Sequence, residues 1–371
     1  MPSALRPDPI SGFTHVVGIG GIGTGVAFQL EGDHTLGREE SRPGALLPSR
    51  DFCKLHIVEH SIAAMMGATA TAPFRVAAIG VVGNDAAGAT VVAEMNAAGI
   101  DTAWVRKDAE RPTLFSVCYT YPDRAGGNIT ASNSAAAALS EADIAQCANT
   151  LRSLGKRCIA LCLPEVPLDI RHKFLNLATE CENFRAASLT LEEIAAARKL
   201  GFFSRLDLLA LNQEEASAVV GYECTAATRE GFLADCVATL TALQPTIRIV
   251  MSAGGEGAYG FANGAWSFCP APRVPVASTA GAGDALLGGV LAALAAGLPL
   301  THSAGFQKSA GMAEIDSALE LGVLLASFSV TSPDAIHFGS NLDELEKFGR
   351  AVGVSFGKQL QQALRETAEL S

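Results

Sequence analysis

Ser278-Thr279-Ala280-Gly281-Ala282-Gly283-Asp284 is the stretch on which the reading of this chain turns. It lies between a β-like run, Arg273-Val274-Pro275-Val276-Ala277, and a small-apolar helical pattern opening Ala285-Leu286-Leu287-Gly288-Gly289. Gly281 and Gly283 let backbone N–H groups face a ligand with no Cβ in the way. The helix that follows offers an anion its unpaired N–H groups and the positive end of its dipole. Asp284 then stands within reach of a hydroxyl attacking a phosphorus held there, as a general base requires. The plainer alternative is a glycine-rich turn with Asp284 as a helix N-cap.

Working outward, Asp207-Leu208-Leu209-Ala210-Leu211 is a buried strand that runs into Asn212-Gln213-Glu214-Glu215. An amide and a carboxylate at a strand's C-terminal end suit Mg²⁺, which prefers oxygen ligands and keeps several waters. Taken alone, the same residues read as an Asn N-cap with an acidic first turn. Ile249-Val250-Met251-Ser252-Ala253-Gly254-Gly255-Glu256-Gly257 is a strand ending in glycines, either a nucleotide approach or a simple β-turn. Gly80-Val81-Val82-Gly83-Asn84-Asp85-Ala86-Ala87-Gly88, Gly99-Ile100-Asp101, Leu163-Pro164-Glu165-Val166-Pro167 and Ser327-Phe328-Ser329-Val330-Thr331-Ser332-Pro333 complete the series.

In this order the segments resemble the ribokinase (PfkB) family of carbohydrate kinases, over residues 14–340. The closing signature of that family is Asp-Thr-x-Gly-Ala-Gly-Asp, and Ser278 stands at its first position. The resemblance implies a ribokinase-like α/β fold, a central mostly parallel sheet with helices on both faces and a small β lid. It implies ATP-dependent phosphorylation of a hydroxyl on a sugar or sugar-like small molecule, with Asp284 as general base and Gly281, Ala282 and Gly283 forming the anion hole. Asn212 and Glu215 would organise phosphates and Mg²⁺, with Glu215 acting through water. Ser252, Gly254, Gly257 and Thr279 fall on the nucleotide side, and Glu165 on the substrate side. A monovalent cation near the cradle is a family habit that the exchange at Ser278 calls into question.

The chain also departs from that pattern. Where the family carries Gly-Gly-x-x-x-Asn, the sequence reads Phe52-Cys53-Lys54-Leu55-His56-Ile57-Val58-Glu59-His60-Ser61-Ile62. The family's early substrate-binding Asp is missing too, with Glu31 and Asp33 as stand-ins. An ordinary ribose or fructose site is therefore not expected; Lys54, His56 and His60 could instead meet an anionic or unusual polyol, although a lone histidine is more often a packed or solvated residue.

Continuous apolar runs alternate with helical patterns from residue 76 onward, the mark of a parallel sheet covered on both faces. Strands are expected at Arg75–Gly83, Cys158–Leu163, Leu206–Leu211 and Ile247–Met251, and helices at Ala86–Ala98 and Leu168–Thr179. Residues 12–35 and 104–130 read as lid strands on a single domain of residues 1–371, residues 38–50 as an exposed loop, and residues 341–369 as an amphipathic terminal helix. Exposed lid edges would allow two copies to pair as a homodimer.

Of the 371 residues, 49% are hydrophobic and 18% charged, which suits a large buried core. A formal net charge of -11 argues against nucleic acid or an anionic membrane as partner. The nine cysteines are scattered and odd in number, as expected of a reduced cytoplasmic protein. No apolar run is long enough to span a bilayer; Ala285–Leu300 comes closest and reads as a buried helix.

Two rival readings remain. Val16-Val17-Gly18-Ile19-Gly20-Gly21-Ile22-Gly23 matches the dinucleotide fingerprint of an NAD-dependent oxidoreductase, which requires a helix to follow. The segment Thr24–Asp33 instead looks like a returning strand. The other rival is a catalytically silent member of the same fold that binds sugar or nucleotide as a regulator.

Overall fold

The computed structural model describes residues 3–10, 12–123, 126–302 and 313–364. Nine strands form the central sheet, in spatial order β13 (Ala265–Pro270), β12 (Gly257–Ala262), β11 (Arg248–Ser252), β10 (Leu208–Asn212), β9 (Phe184–Ser188), β8 (Cys158–Cys162), β1 (His15–Ile19), β4 (Arg75–Gly83) and β5 (Ile100–Asp108). The sheet is parallel from β11 through β5, and β12 and β13 add an antiparallel edge. Helices α1 (Lys54–Met66), α2 (Ala86–Ala97), α8 (Ala282–Ala295), α9 (Ala318–Ser329) and α10 (Leu342–Ala351) cover one face. Helices α3 (Glu141–Leu154), α4 (Leu168–Glu180), α5 (Ile194–Leu200), α6 (Gln213–Val220) and α7 (Arg229–Leu243) cover the other.

Burial on both faces is why the strands read as unbroken apolar runs. In β1, Val16 points into one core while Val17 and Ile19 point into the other. The Ala/Leu-rich stretch becomes α8, buried along most of its length, with α1 on one side and α9 on the other. Gly288 meets Val58 and Ser61 of α1, and Gly289 meets Gly322 of α9. Burying Leu286, Leu287, Val290 and Leu291 contributes about 1.5–3 kcal/mol per side chain. That packing fixes the N-terminus of α8 against the sheet.

A second, four-stranded sheet, β3 (Gly44–Phe52), β2 (Gly23–Leu30), β6 (Leu114–Thr120) and β7 (Gly126–Thr130), is the lid. Its composition corrects the sequence boundaries. Of residues 12–35, β1 belongs to the central sheet and only β2 to the lid; of residues 104–130, the first five complete β5. The segment 38–50, expected to be a loop, supplies most of β3, which pairs antiparallel with β2 across an irregularity between Val26 and Phe28. Its Pro48 and polar residues are tolerated because β3 is an edge strand. Lid residues Leu46, Phe115 and Ile129 are exposed.

The C-terminal expectation also needs correction. Residues 342–362 form α10, then β15 (Val354–Phe356), then α11 (Lys358–Gln362), and β15 pairs with β14 (Ala313–Ile315). Gly353, at φ 79°, turns the chain between α10 and β15. The expected helix beyond residue 364 lies outside the described residues. Arg273–Ala277 forms no strand; Ala277 N–H instead donates to the Val330 carbonyl at 2.8 Å, docking the segment on the end of α9. Among the described residues no helix is long and apolar enough to cross a membrane.

Candidate active site

Strands β10 and β11 run parallel and end side by side, with Asn212 in register with Ser252. The carboxyl ends of parallel strands, where helices begin, are where α/β sheets place their ligands. The N-termini of α6 and α8 and the first residue of α1 converge there on a cavity of about 70 Å³, lined by Lys54, Asn212, Glu215, Ser252, Gly283 and Asp284.

Asp284 is the third residue of α8, and the N-cap is Gly281 at φ 74°. A Cβ on Gly281 would strike the Ala335 carbonyl, so the turn needs glycine for space as well as for φ. This overturns the plain N-cap reading of Asp284: its carboxylate does not close the helix but faces Lys54 Nζ at 3.5 Å. Asp284 is 9% exposed. Burial raises its pKa above the ordinary value, against the pull of Lys54. Asp284 in turn raises the pKa of Lys54, which stays charged. Ala282 N–H donates back to the Thr279 carbonyl at 3.3 Å. The next two donors, on Gly283 and Asp284, lie in the first turn, where no helical carbonyl is available to them. Gly283 is exposed, and a Cβ there would meet nothing within 4 Å, so the space before the helix is open.

Asn212 and Glu215 form a capping box: Asn212 N–H donates to Glu215 Oε2 at 2.8 Å, and Glu215 N–H donates to Asn212 Oδ1 at 2.7 Å. The local capping reading is therefore realised, yet Glu215 also lines the cavity and is buried, with its pKa raised by desolvation. A desolvated carboxylate and an amide are hard oxygen donors. They fit a Mg²⁺ that keeps most of its waters, and among the described residues no cluster of three metal-ligating side chains occurs. Ser252 ends β11 and lines the same cavity. Gly254, at φ 54°, opens a short turn where a Cβ would meet nothing within 4 Å. Gly257 has a packing reason to be glycine, since a Cβ would strike the Cys269 carbonyl of β13. Thr279 is exposed in the turn before α8.

Glu165 follows β8 with φ 73°, an unusual conformation for a residue with a side chain, costing of order 1–3 kcal/mol. The turn sends its carboxylate to the Lys54 backbone N–H at 3.2 Å and to the Cys53 thiol. Burial pushes its pKa up to about 7, against Lys54. Asp33 is not brought to this cluster. It is exposed in the turn after β2, whose eight residues lead away from the Gly21–Glu165 contact over roughly 23 Å. His56 and His60 are buried among Phe52 and Phe338, and burial drops their pKa to about 3 and about 4. Neither lines the cavity, so the expected contact with an anionic substrate is not made.

The dinucleotide reading fails on topology, because Gly18–Gly23 opens no helix and leads from β1 into lid strand β2. Sequence reasoning missed the lid group in which Ser116 Oγ and Cys118 Sγ both donate to Asp51 Oδ2. No local signal announced them, since Gly44–Phe52 reads as an apolar block, Pro48 and a polar block rather than an alternation.

The strand order, with helices on both faces of a mostly parallel sheet, is that of a mixed α/β fold whose cavity lies at the carboxyl ends of its strands. Residues 62–341 match the model of the pfkB family carbohydrate kinases, and the chain belongs to that family. Ribokinase from Giardia lamblia superimposes with a TM-score of 0.72 at 15% identity, covering 90% of this chain and 99% of that one. Ribokinase from Cryptococcus neoformans var. grubii serotype A, in complex with ADP, gives 0.68 at 19% identity, with 90% and 99% covered. A nucleoside kinase from Burkholderia thailandensis, in complex with inosine, gives 0.67 at 15%, with 92% and 99% covered. No curated protein matches the sequence.

Proposed function

We propose that this protein transfers the γ-phosphoryl group of ATP to a hydroxyl of a sugar-like or nucleoside-like small molecule. The observation that carries the proposal is the placement of Asp284: buried, inside the first turn of α8, excused from capping, and paired with Lys54. Burial makes its carboxylate more basic, and the Lys54 charge opposes that shift by favouring the ionised form. It takes the proton from the acceptor hydroxyl as the oxygen attacks phosphorus. The Gly283 and Asp284 N–H groups face the developing charge on the transferred group, with the dipole of α8 behind them. Asn212 and Glu215 would hold Mg²⁺ through water, and the bound ion neutralises phosphate oxygens. Ser252 and the Gly254 turn flank the nucleotide side, where an absent Cβ permits close approach.

ATP turnover tests this directly. With Mg²⁺ present, the purified protein should bind ATP in calorimetry and release ADP when supplied with one of a panel of sugars, polyols and nucleosides. Nucleotide binding without turnover on any acceptor would favour the silent regulator. The absence of nucleotide binding would end the kinase reading.

A further inference from the structure

Ser327-Phe328-Ser329-Val330-Thr331-Ser332-Pro333 closes the series of family-like segments, yet the reaction just described does not use it. With the residues that follow, it lies across the turn that begins α8. The Val330 carbonyl accepts the Ala277 N–H at 2.8 Å and the Ser278 N–H at 3.3 Å, which holds the entry to that turn. Further along, Ala335 is buried, and its carbonyl is what a Cβ on Gly281 would strike. One segment therefore meets the turn at both ends. The body of α8 is packed between α1 and α9, so residues 330–335 bear on where the helix starts and where the Gly283 and Asp284 N–H groups point. In contacts this close, a shift of one partner moves the other.

The lid holds the same segment from the opposite side. Arg50 lies two residues before the end of β3, in register with Val26 of β2. Its N–H donates to Asp334 Oδ1 at 2.8 Å, and its carbonyl accepts the Ala335 N–H at 3.0 Å. Those two bonds cover part of the open edge of the lid. Ala335 thus has its N–H on the lid and its carbonyl against Gly281. The Arg50 guanidinium lies 4.4 Å from the centroid of the Phe338 ring and 5.3 Å from that of Phe52, and it pairs with Glu94 of α2. Phe338 packs edge-on against Phe52 and His60, and His337 stacks on Phe328 of α9. Residues 334–338 are in this way wedged between the lid, α1 and α9.

We propose that Asp334 and Arg50 are positioning residues that hold Ala335 against Gly281, and so set the turn whose N–H groups receive the transferred phosphoryl group. Neither side chain lines the cavity, so both act through Ala335 and without touching substrate. The proposal rests on the kinase reading for what the turn does, but not for where the turn lies.

The test combines amide hydrogen exchange with steady-state kinetics on wild type, Asp334→Ala and Asp334→Asn. Asp334→Ala removes the acceptor of the Arg50 N–H, whereas Asp334→Asn keeps an oxygen for it. In Asp334→Ala without nucleotide, exchange should rise by about tenfold in peptides spanning residues 277–284 and keep the wild-type rate in β8 and β9. Its kcat should fall by about tenfold or more, as a small misplacement at the reacting centre allows, with KM for ATP and affinity for ADP within threefold. Asp334→Asn should return both readouts to within threefold of wild type. Unchanged exchange over residues 277–284, lower stability with kcat intact, or no rescue by Asp334→Asn would each overturn the proposal. If Asp334→Ala fails to fold, Arg50→Ala replaces it, losing the Phe338 and Glu94 contacts while keeping both main-chain bonds; wild-type exchange and kcat there would count against the proposal. A wild-type protein that binds no nucleotide would end the kinase reading, while the exchange rates would still decide whether Asp334 sets the turn.

Discussion

Two glycine-rich turns follow strands of the same chain and look alike in sequence, yet they use glycine for opposite purposes. In Gly18-Ile19-Gly20-Gly21-Ile22-Gly23 the missing side chains are filled by other atoms. Leu55 and Glu59 of α1 press on Gly18, Leu163 on Gly20, Glu165 on Gly21, and the Leu114 carbonyl on Gly23. In Gly281-Ala282-Gly283 the second glycine faces open space at the start of a fully formed helix. The first turn is glycine-rich so that protein can approach; in the second, Gly283 leaves room for a ligand. Spacing alone cannot separate these uses, because a motif records where Cβ is absent and not what occupies the gap.

The largest effect should come from the open turn. Asp284→Asn keeps the shape but cannot take the proton, so kcat should fall by at least ~10² while ATP affinity stays within several-fold. Turnover within threefold of wild type, on whichever acceptor the screen finds, would mean that the base is misassigned.

Matched alanine substitutions then set the two turns against each other. Gly21→Ala drives a methyl into the Glu165 side chain and should destabilise the protein by about 1–3 kcal/mol. Gly283→Ala meets nothing within 4 Å and should leave the melting temperature unchanged or slightly raised, while lowering turnover by crowding the phosphoryl side. Thermal unfolding and steady-state kinetics on both variants read the contrast directly. Equal loss of stability in both would dissolve it.

The last effect concerns the strained Glu165. Its carboxyl is raised from 4.5 to about 7 in the folded protein. A raised acid holds its proton when folded, so its stabilising share is complete below the unfolded value and is lost as pH rises through about 7. Glu165→Gln has no such loss. Its stability relative to wild type should therefore improve between pH 4.5 and 7, by roughly 3 kcal/mol at most. Melting temperatures of both proteins across that window supply the check; parallel curves would show that Glu165 titrates as it does in the unfolded chain.

Much of this molecule was legible from the chain alone. β4 spans the expected Arg75–Gly83, and α4 closely follows the expected Leu168–Thr179, because continuous apolar runs and 3.6-residue periodicity are local properties. The cradle was legible for the same reason, since a strand, glycines and a helix start are contiguous in sequence. The lid was not: β3 is an edge strand with Pro48 and exposed polar residues, and its pairing with β2 spans an irregular turn that no local pattern announces. His56 and His60 were left with two readings, and the packed one holds, because a histidine looks the same in sequence whether it lines a cavity or packs against Phe52 and Phe338.

The sequence by itself determined the parallel sheet, the buried α8 and the glycine turn with its carboxylate at the start of that helix, because each is written in periodicity or in neighbouring residues. Only the tertiary structure decided that Asp284 faces Lys54 instead of capping its helix, and that Gly21 makes room for Glu165. Those relations join residues more than a hundred positions apart, and burial and charge act through space, where the order of the chain gives no measure of distance.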